Sequence, residues 1–161
     1  MIQCDVFEIE AEITSERDIV WHVFTDLPCG TRMIYSFDRL YTDHDGQECE
    51  WSLQGSSATL DRTDRGDLNG VSGRFSVDDG DAEALRDFGE SLGDYSAGIK
   101  TPMSEDIHLS FTVGLRQPLK AFGKRNENLD GSMVEDQGHM KVVRAELLVT
   151  VPIKAEFKPM E

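Results

Sequence analysis

The chain has 161 residues with 39% hydrophobic and 29% charged side chains, which places it among ordinary globular proteins long enough to bury a core without metals or disulfides. Its net charge of −15 repels nucleic-acid phosphates and anionic lipid, so direct nucleic-acid binding is disfavoured and basic partners or cations are favoured. No apolar run approaches the ~20 residues that span a bilayer, so membrane insertion is not expected.

In chain order, Phe7, Ile9, Ala11 and Ile13 alternate with Glu8, Glu10 and Glu12, which predicts a strand with one apolar and one acidic face. Two strand-like runs follow, at about 19–25 and 32–42, with Met33, Tyr35 and Phe37 on one face of the second. Between them, Thr25-Asp26-Leu27-Pro28-Cys29-Gly30-Thr31 carries turn chemistry: Pro28 pre-sets its backbone angle and Gly30 tolerates positive φ. The expectation is a β-hairpin that pairs the two runs. Asp43-His44-Asp45-Gly46 supplies a further turn, and residues 48–53 a short strand. Gly55 to Gly70 reads as a long loop holding one weak strand around Thr59, and Val71 to Val77 returns to strand character.

Residues 81–92 break the pattern, because Ala84, Leu85, Phe88 and Leu92 recur at helical spacing behind Asp81 at an N-cap position. One short helix is expected there. Tyr95 to Thr101 reads as a strand, and Ile107, Leu109, Phe111, Val113 and Leu115 form the strictest alternation in the chain, ended by Gln117-Pro118. Lys120 to Gly138 is irregular with a short strand near Met133; Met140 to Val151 is long and β-branched, and Ile153 to Phe157 extends beyond Pro152 along an edge. The total is about eight strands in a single domain, residues 1–161, which predicts an antiparallel β-sandwich, with a closed barrel as the alternative.

Thr25-Asp26-Leu27-Pro28-x-Gly30-Thr31-x-Met33 resembles the "T-N-L-P-x-G-T" turn of immunoglobulin-like β-sandwich domains in bacterial proteins, with Asp26 in place of the usual Asn and Cys29 in place of a polar residue. Gln117-Pro118 and Asn128-Leu129-x-Gly131 are similar to landmarks of the same group. The resemblance implies an immunoglobulin-like fold and a non-enzymatic accessory or interaction domain, often outside the cytoplasm. It brings no catalytic residues.

The acidity is uneven: residues 1–50 hold 12 Asp and Glu against 3 Lys and Arg, while residues 101–161 hold 9 against 8. The plain explanation is solubility, as in a salt-adapted organism. The sharper one is an acidic surface that mimics nucleic-acid charge and blocks a basic groove, with Glu8, Glu10 and Glu12 spaced ~6.6–7 Å apart, close to the phosphate repeat. That alternative requires these glutamates and the Asp43 to Glu50 cluster to form one continuous stripe.

Asp43, Asp45 and Glu48 resemble the turn of a calcium loop but lack the EF-hand pattern, with Tyr41 at the first ligand position and Ser52 at the last, so a weakly held cation is set against a plain solvated turn. Asp78-Asp79-Gly80-Asp81 is explained as a helix start. Arg65-Gly66-Asp67 is a chance match to an integrin-type tripeptide in a chain rich in these residues. His22, His44, His108 and His139 make no ligand pair in sequence and read as surface residues, and Cys4, Cys29 and Cys49 lack CxxC spacing, which leaves one bridge plus a free thiol open. No nucleophile motif or phosphate-binding glycine loop occurs, so no cofactor is expected. The functional expectation is a non-catalytic domain that binds another protein or itself, with Trp21, Tyr41 and Trp51 as candidate contacts. An enzyme of unrecognised type is the further alternative. The first residues lack a secretory pattern, which fits the cytoplasm for a full-length chain and an extracytoplasmic site for one trimmed of its signal.

Overall fold

The computed structural model describes residues 1–15, 17–42, 47–77 and 104–152. The helix expected at 81–92, the strand at 95–101, the edge extension at 153–157, the Asp78 to Asp81 cluster and the Asp43 to Gly46 turn lie outside the described residues.

Eleven strands form among them: β1 (Ile2–Gln3), β2 (Phe7–Thr14), β3 (Asp18–Thr25), β4 (Arg32–Thr42), β5 (Glu48–Thr59), β6 (Asp61–Arg62), β7 (Asn69–Ser76), β8 (Asp106–Val113), β9 (Leu129–Asp130), β10 (Val134–Asp136) and β11 (Lys141–Thr150). A 3-10 turn spans Lys120–Phe122. The two larger sheets are antiparallel, in the orders β10-β11-β8-β4-β5 and β2-β3-β7-β6, and β1 pairs in parallel with β9. The fold is an all-β sandwich. No helix among the described residues is long and apolar enough to cross a membrane.

Period-two burial explains the layering. β8 alternates strictly, with Ile107, Leu109, Phe111 and Val113 buried, and β3 sends Ile19, Trp21 and Val23 inward against them. Trp21 joins the sheets: its ring centroid lies 4.9 Å from Tyr35 and 5.3 Å from Phe111. On β7 it faces Gly73, where an added Cβ would come within 2.5 Å of the indole.

The hairpin expected at Thr25 to Thr31 does not form. β3 pairs with β2 and β7, whereas β4 pairs with β5 and β8, so the segment is an arch from one sheet to the other. Both flanking strands have an apolar face to bury, and facing each other across the core buries both at once. The arch is tied internally and to its surroundings. The Leu27 N–H donates to Thr25 Oγ1 at 3.2 Å, Thr31 Oγ1 donates to Pro28 O at 2.7 Å, and Asn69 Nδ2 donates to Leu27 O at 2.8 Å. Gly30 adopts φ +90°, as its position required. The Asp26 carboxylate accepts the N–H groups of Asp5 at 3.0 Å and Val6 at 3.2 Å, which fastens the chain just before β2. Leu27 is fully buried, which the tip of a hairpin would not permit.

The predicted loop from Gly55 begins instead as the second half of β5, and a register shift at Phe37/Asp38 lets this long strand follow β4. Gln117 also does more than end β8. It accepts the Arg32 N–H and donates back to Arg32 O, both at 2.7 Å, capping the start of β4 as a strand neighbour would.

None of the three cysteines forms a disulfide: Cys4 is buried, Cys49 half-buried and Cys29 exposed. Burial, the largest influence, pushes the Cys4 thiol up to about 12. At pH 8 its thiolate fraction falls on the order of a thousandfold below that of an ordinary thiol. Iodoacetamide should therefore modify Cys29 in the native protein and reach Cys4 only after denaturation, as read by peptide mass mapping. Rapid labelling of Cys4 without denaturant would contradict its burial.

Candidate functional site

The outer face of the five-stranded sheet gathers ionisable groups from four strands. Asp38 on β4 stands directly opposite His108 on β8, which stands opposite Leu148 on β11, while Glu50 on β5 is opposite Leu40 and diagonal to Asp38. Because β8 alternates so strictly, the residues that bury Ile107 and Leu109 turn His108 outward. His108 Nδ1 lies 2.9 Å from Glu50 Oε1, and its Nε2 lies 3.4 Å from Glu146 Oε2. The His108 side chain is only 20% exposed, against 49% for each glutamate. Ser36 Oγ donates to Asp38 Oδ2 at 3.2 Å.

One donor atom from each of Asp38, Glu50 and His108 lies within 4.8 Å of the others, a mixed carboxylate and imidazole set. Burial first, and then the neighbouring Glu50 charge, raises the Asp38 carboxyl above its usual range, with Ser36 and His108 pulling the other way. A shallow concavity of about 360 Å³ opens over Glu48, Glu50, His108, Glu146 and Leu148. The arrangement suits a cation or a basic group of a partner.

Of the residues predicted from sequence, Glu48 lines this concavity, and Asp43 and Asp45 lie outside the described residues. Trp21 is corrected: at 3% exposure it belongs to the core, because the phase of β3 turns it inward with Ile19 and Val23. Tyr41 and Trp51 are half-buried on the inward phase of β4 and β5, near the edge of the sandwich.

Glu8, Glu10 and Glu12 are exposed along β2, on the outer face of the four-stranded sheet. Glu48 and Glu50 project from the opposite side of the sandwich, so among the described residues the two acidic groups do not join in one stripe. Glu10 is also engaged: Arg65 grips its two oxygens at 3.0 and 3.1 Å and lies 3.9 Å over the Phe24 ring. The Arg65-Gly66-Asp67 segment is thereby tied to the sheet by its own arginine.

Another concavity, of about 340 Å³, is lined by Lys124, Arg125, Glu127, Asp136, His139 and Lys141. Several of its charged groups are occupied with the loop: Lys141 Nζ donates to Leu129 O at 2.9 Å, Glu127 accepts the Arg125 N–H at 2.8 Å, and Asp136 accepts the Gly138 N–H at 2.9 Å. Beneath it, Asn126 is fully buried at φ +57° and donates to Gly114 O and Lys141 O, at 2.8 and 3.0 Å. This is the architecture of a fastened loop.

The sequence missed Asp38, Glu50, His108 and Glu146 as a group because they come from four separate strands. The polar phase of His108 was the available signal, and only the strand order brings the carboxylates to it. No protein-family model matches the chain, and neither curated proteins nor solved structures give a match.

Proposed function

We propose that this chain is a non-catalytic β-sandwich interaction module that binds another protein through the outer face of its five-stranded sheet. The observation that carries the reading is the composition of that face: Leu148 is 57% exposed beside Glu50, His108 and Glu146, and Ile34 is 53% exposed farther along the face beside Arg32 and Arg116. Apolar anchors beside charged groups are what a docking surface needs, since the apolar groups supply affinity and the charges select the partner. The acidic groups around Leu148 favour a partner that brings basic residues to that end of the face. The resemblance of the Thr25 to Met33 turn to immunoglobulin-like accessory domains supports the same reading.

The test is affinity capture with the wild-type chain and with Leu148→Glu, whose exposed position should leave the fold intact, as circular dichroism checks. A partner held by the wild type should bind the variant at least tenfold more weakly. Equal capture by both proteins, or robust turnover in a hydrolase screen, would overturn the assignment.

A further inference from the structure

We propose that Asp38, Glu50 and Nδ1 of His108 bind one divalent transition-metal ion of the Zn²⁺ type, with Glu146 behind the imidazole as a positioning residue. The inference is independent of protein docking on the same face.

The donor set comes first. Imidazole nitrogen with carboxylate oxygens suits Zn²⁺ and its first-row neighbours, whereas Ca²⁺ and Mg²⁺ prefer all-oxygen shells. Metal–ligand bonds of ~2.0–2.2 Å in a tetrahedron place the donors about 3.4 Å from one another. The three donor atoms already lie within 4.8 Å, so side-chain rotation of roughly an ångström closes the set without backbone movement. Two of the three stand in direct cross-strand register, Asp38 opposite His108, and Glu50 lies on the next strand. A paired sheet holds such positions more rigidly than a loop.

The second argument is the far side of the ring. Metal-bound histidines commonly donate their other N–H to a carboxylate, which fixes the tautomer and the ring plane. Glu146 Oε2 is 3.4 Å from Nε2, at the other ring nitrogen from Glu50, and is placed to accept the Nε2–H when a metal ion occupies Nδ1. Nδ1 lies 2.9 Å from Glu50 Oε1, a distance at which one proton is shared between them, and a metal ion at Nδ1 takes that proton's place. Carboxylates drawn this close repel one another, and a cation among them relieves the repulsion. Water reaching the open face completes the coordination shell.

Calorimetric titration of the metal-stripped full chain with ZnCl₂ tests the proposal. Saturable binding of one ion per chain is expected, unaffected by equimolar Mg²⁺. His108→Ala and Asp38→Asn should each weaken it at least tenfold, and Glu146→Gln by about tenfold with the ion still bound. Imidazole ¹⁵N NMR should place the Zn²⁺-dependent shift on Nδ1 of His108, a readout that a purely structural role for Glu146 would not move. Co²⁺ should give ligand-field bands without thiolate charge transfer, which separates this site from Cys29 and Cys49. Circular dichroism identifies any variant that fails to fold, and the NMR measurement on the wild type then decides alone. Absence of saturable binding, affinity unchanged in folded His108→Ala, or a thiolate band would each overturn the assignment.

Discussion

Trp21→Ala should lose about 3–5 kcal/mol of folding stability, the range for removing a large buried aromatic residue. Against a typical total of ~5–15 kcal/mol, that brings the chain close to unfolding at ambient temperature. The ring is 3% exposed and touches the opposite sheet through Tyr35, Phe37 and Phe111, with centroids 4.9, 6.3 and 5.3 Å away. Tilted and edge-on arrangements add to the area term. The cavity cannot close easily, because Gly73 beneath the indole has no side chain to offer. The converse experiment uses the same geometry: Gly73→Val drives a side chain into the ring and should destabilise the wild type by 1 kcal/mol or more, and much less in the Trp21→Ala background. Urea denaturation of the four proteins measures both effects. A loss under about 1 kcal/mol for Trp21→Ala would mean that the sheets are not joined through this ring.

The residues around Trp21 also show what can be read from a chain before its strands are placed. Alternation in 7–13 and 107–115 identified β2 and β8 with nearly correct limits, because each strand buries a single face, and the long β-branched run at 140–151 identified β11. The phase of Met33, Tyr35 and Phe37 predicted the inward face of β4, and that phase carries Arg39 into the interior with them. Strand partners were not legible. The Pro28 and Gly30 turn specifies a reversal but not whether the next strand lies beside the first or across the core, and the burial of Leu27 was the discriminating clue. β1 and β9 are two residues each and pair only because Cys4 and Leu129 are buried together in the core. The site fared worst for the same reason. Asp38, Glu50, His108 and Glu146 are ordinary polar-phase residues in their own strands, and their meeting depends on sheet order, which is set by long-range pairing.

Arg39 is expected to be the most sensitive polar residue of the interior. Arg39→Ala should cost about 3–5 kcal/mol, combining a large cavity with the loss of hydrogen bonds from a charged donor. Its side chain is fully buried, and Nη1 donates to Ser104 O and Val151 O, both at 3.1 Å. These carbonyls lie just before β8 and just after β11, so one guanidinium ties together the ends of two strands from beneath. The Ser104 N–H donates to Leu40 O and the Val151 N–H to Glu105 O, at 2.8 and 2.9 Å, continuing the same closure. Arg39→Met separates the causes, because it restores most of the packing but leaves both carbonyls without this donor; it should retain part of the loss. Arg39→Lys should also fall short, since the shorter, more strongly hydrated ammonium costs more to bury and does not reach as far as Nη1. Hydrogen exchange gives the local readout: the Val151 amide should lose protection in both Met and Lys variants before the amides of mid-β3 do. Arg39 follows Asp38 on β4 and pairs with Ile107, the neighbour of His108, so the anchor lies directly behind the Asp38 and His108 pair. If Arg39→Met were as stable as the wild type and kept full protection at Val151, packing alone would hold these strand ends, and the buried charge would not be what fixes the register on which the outer cluster depends.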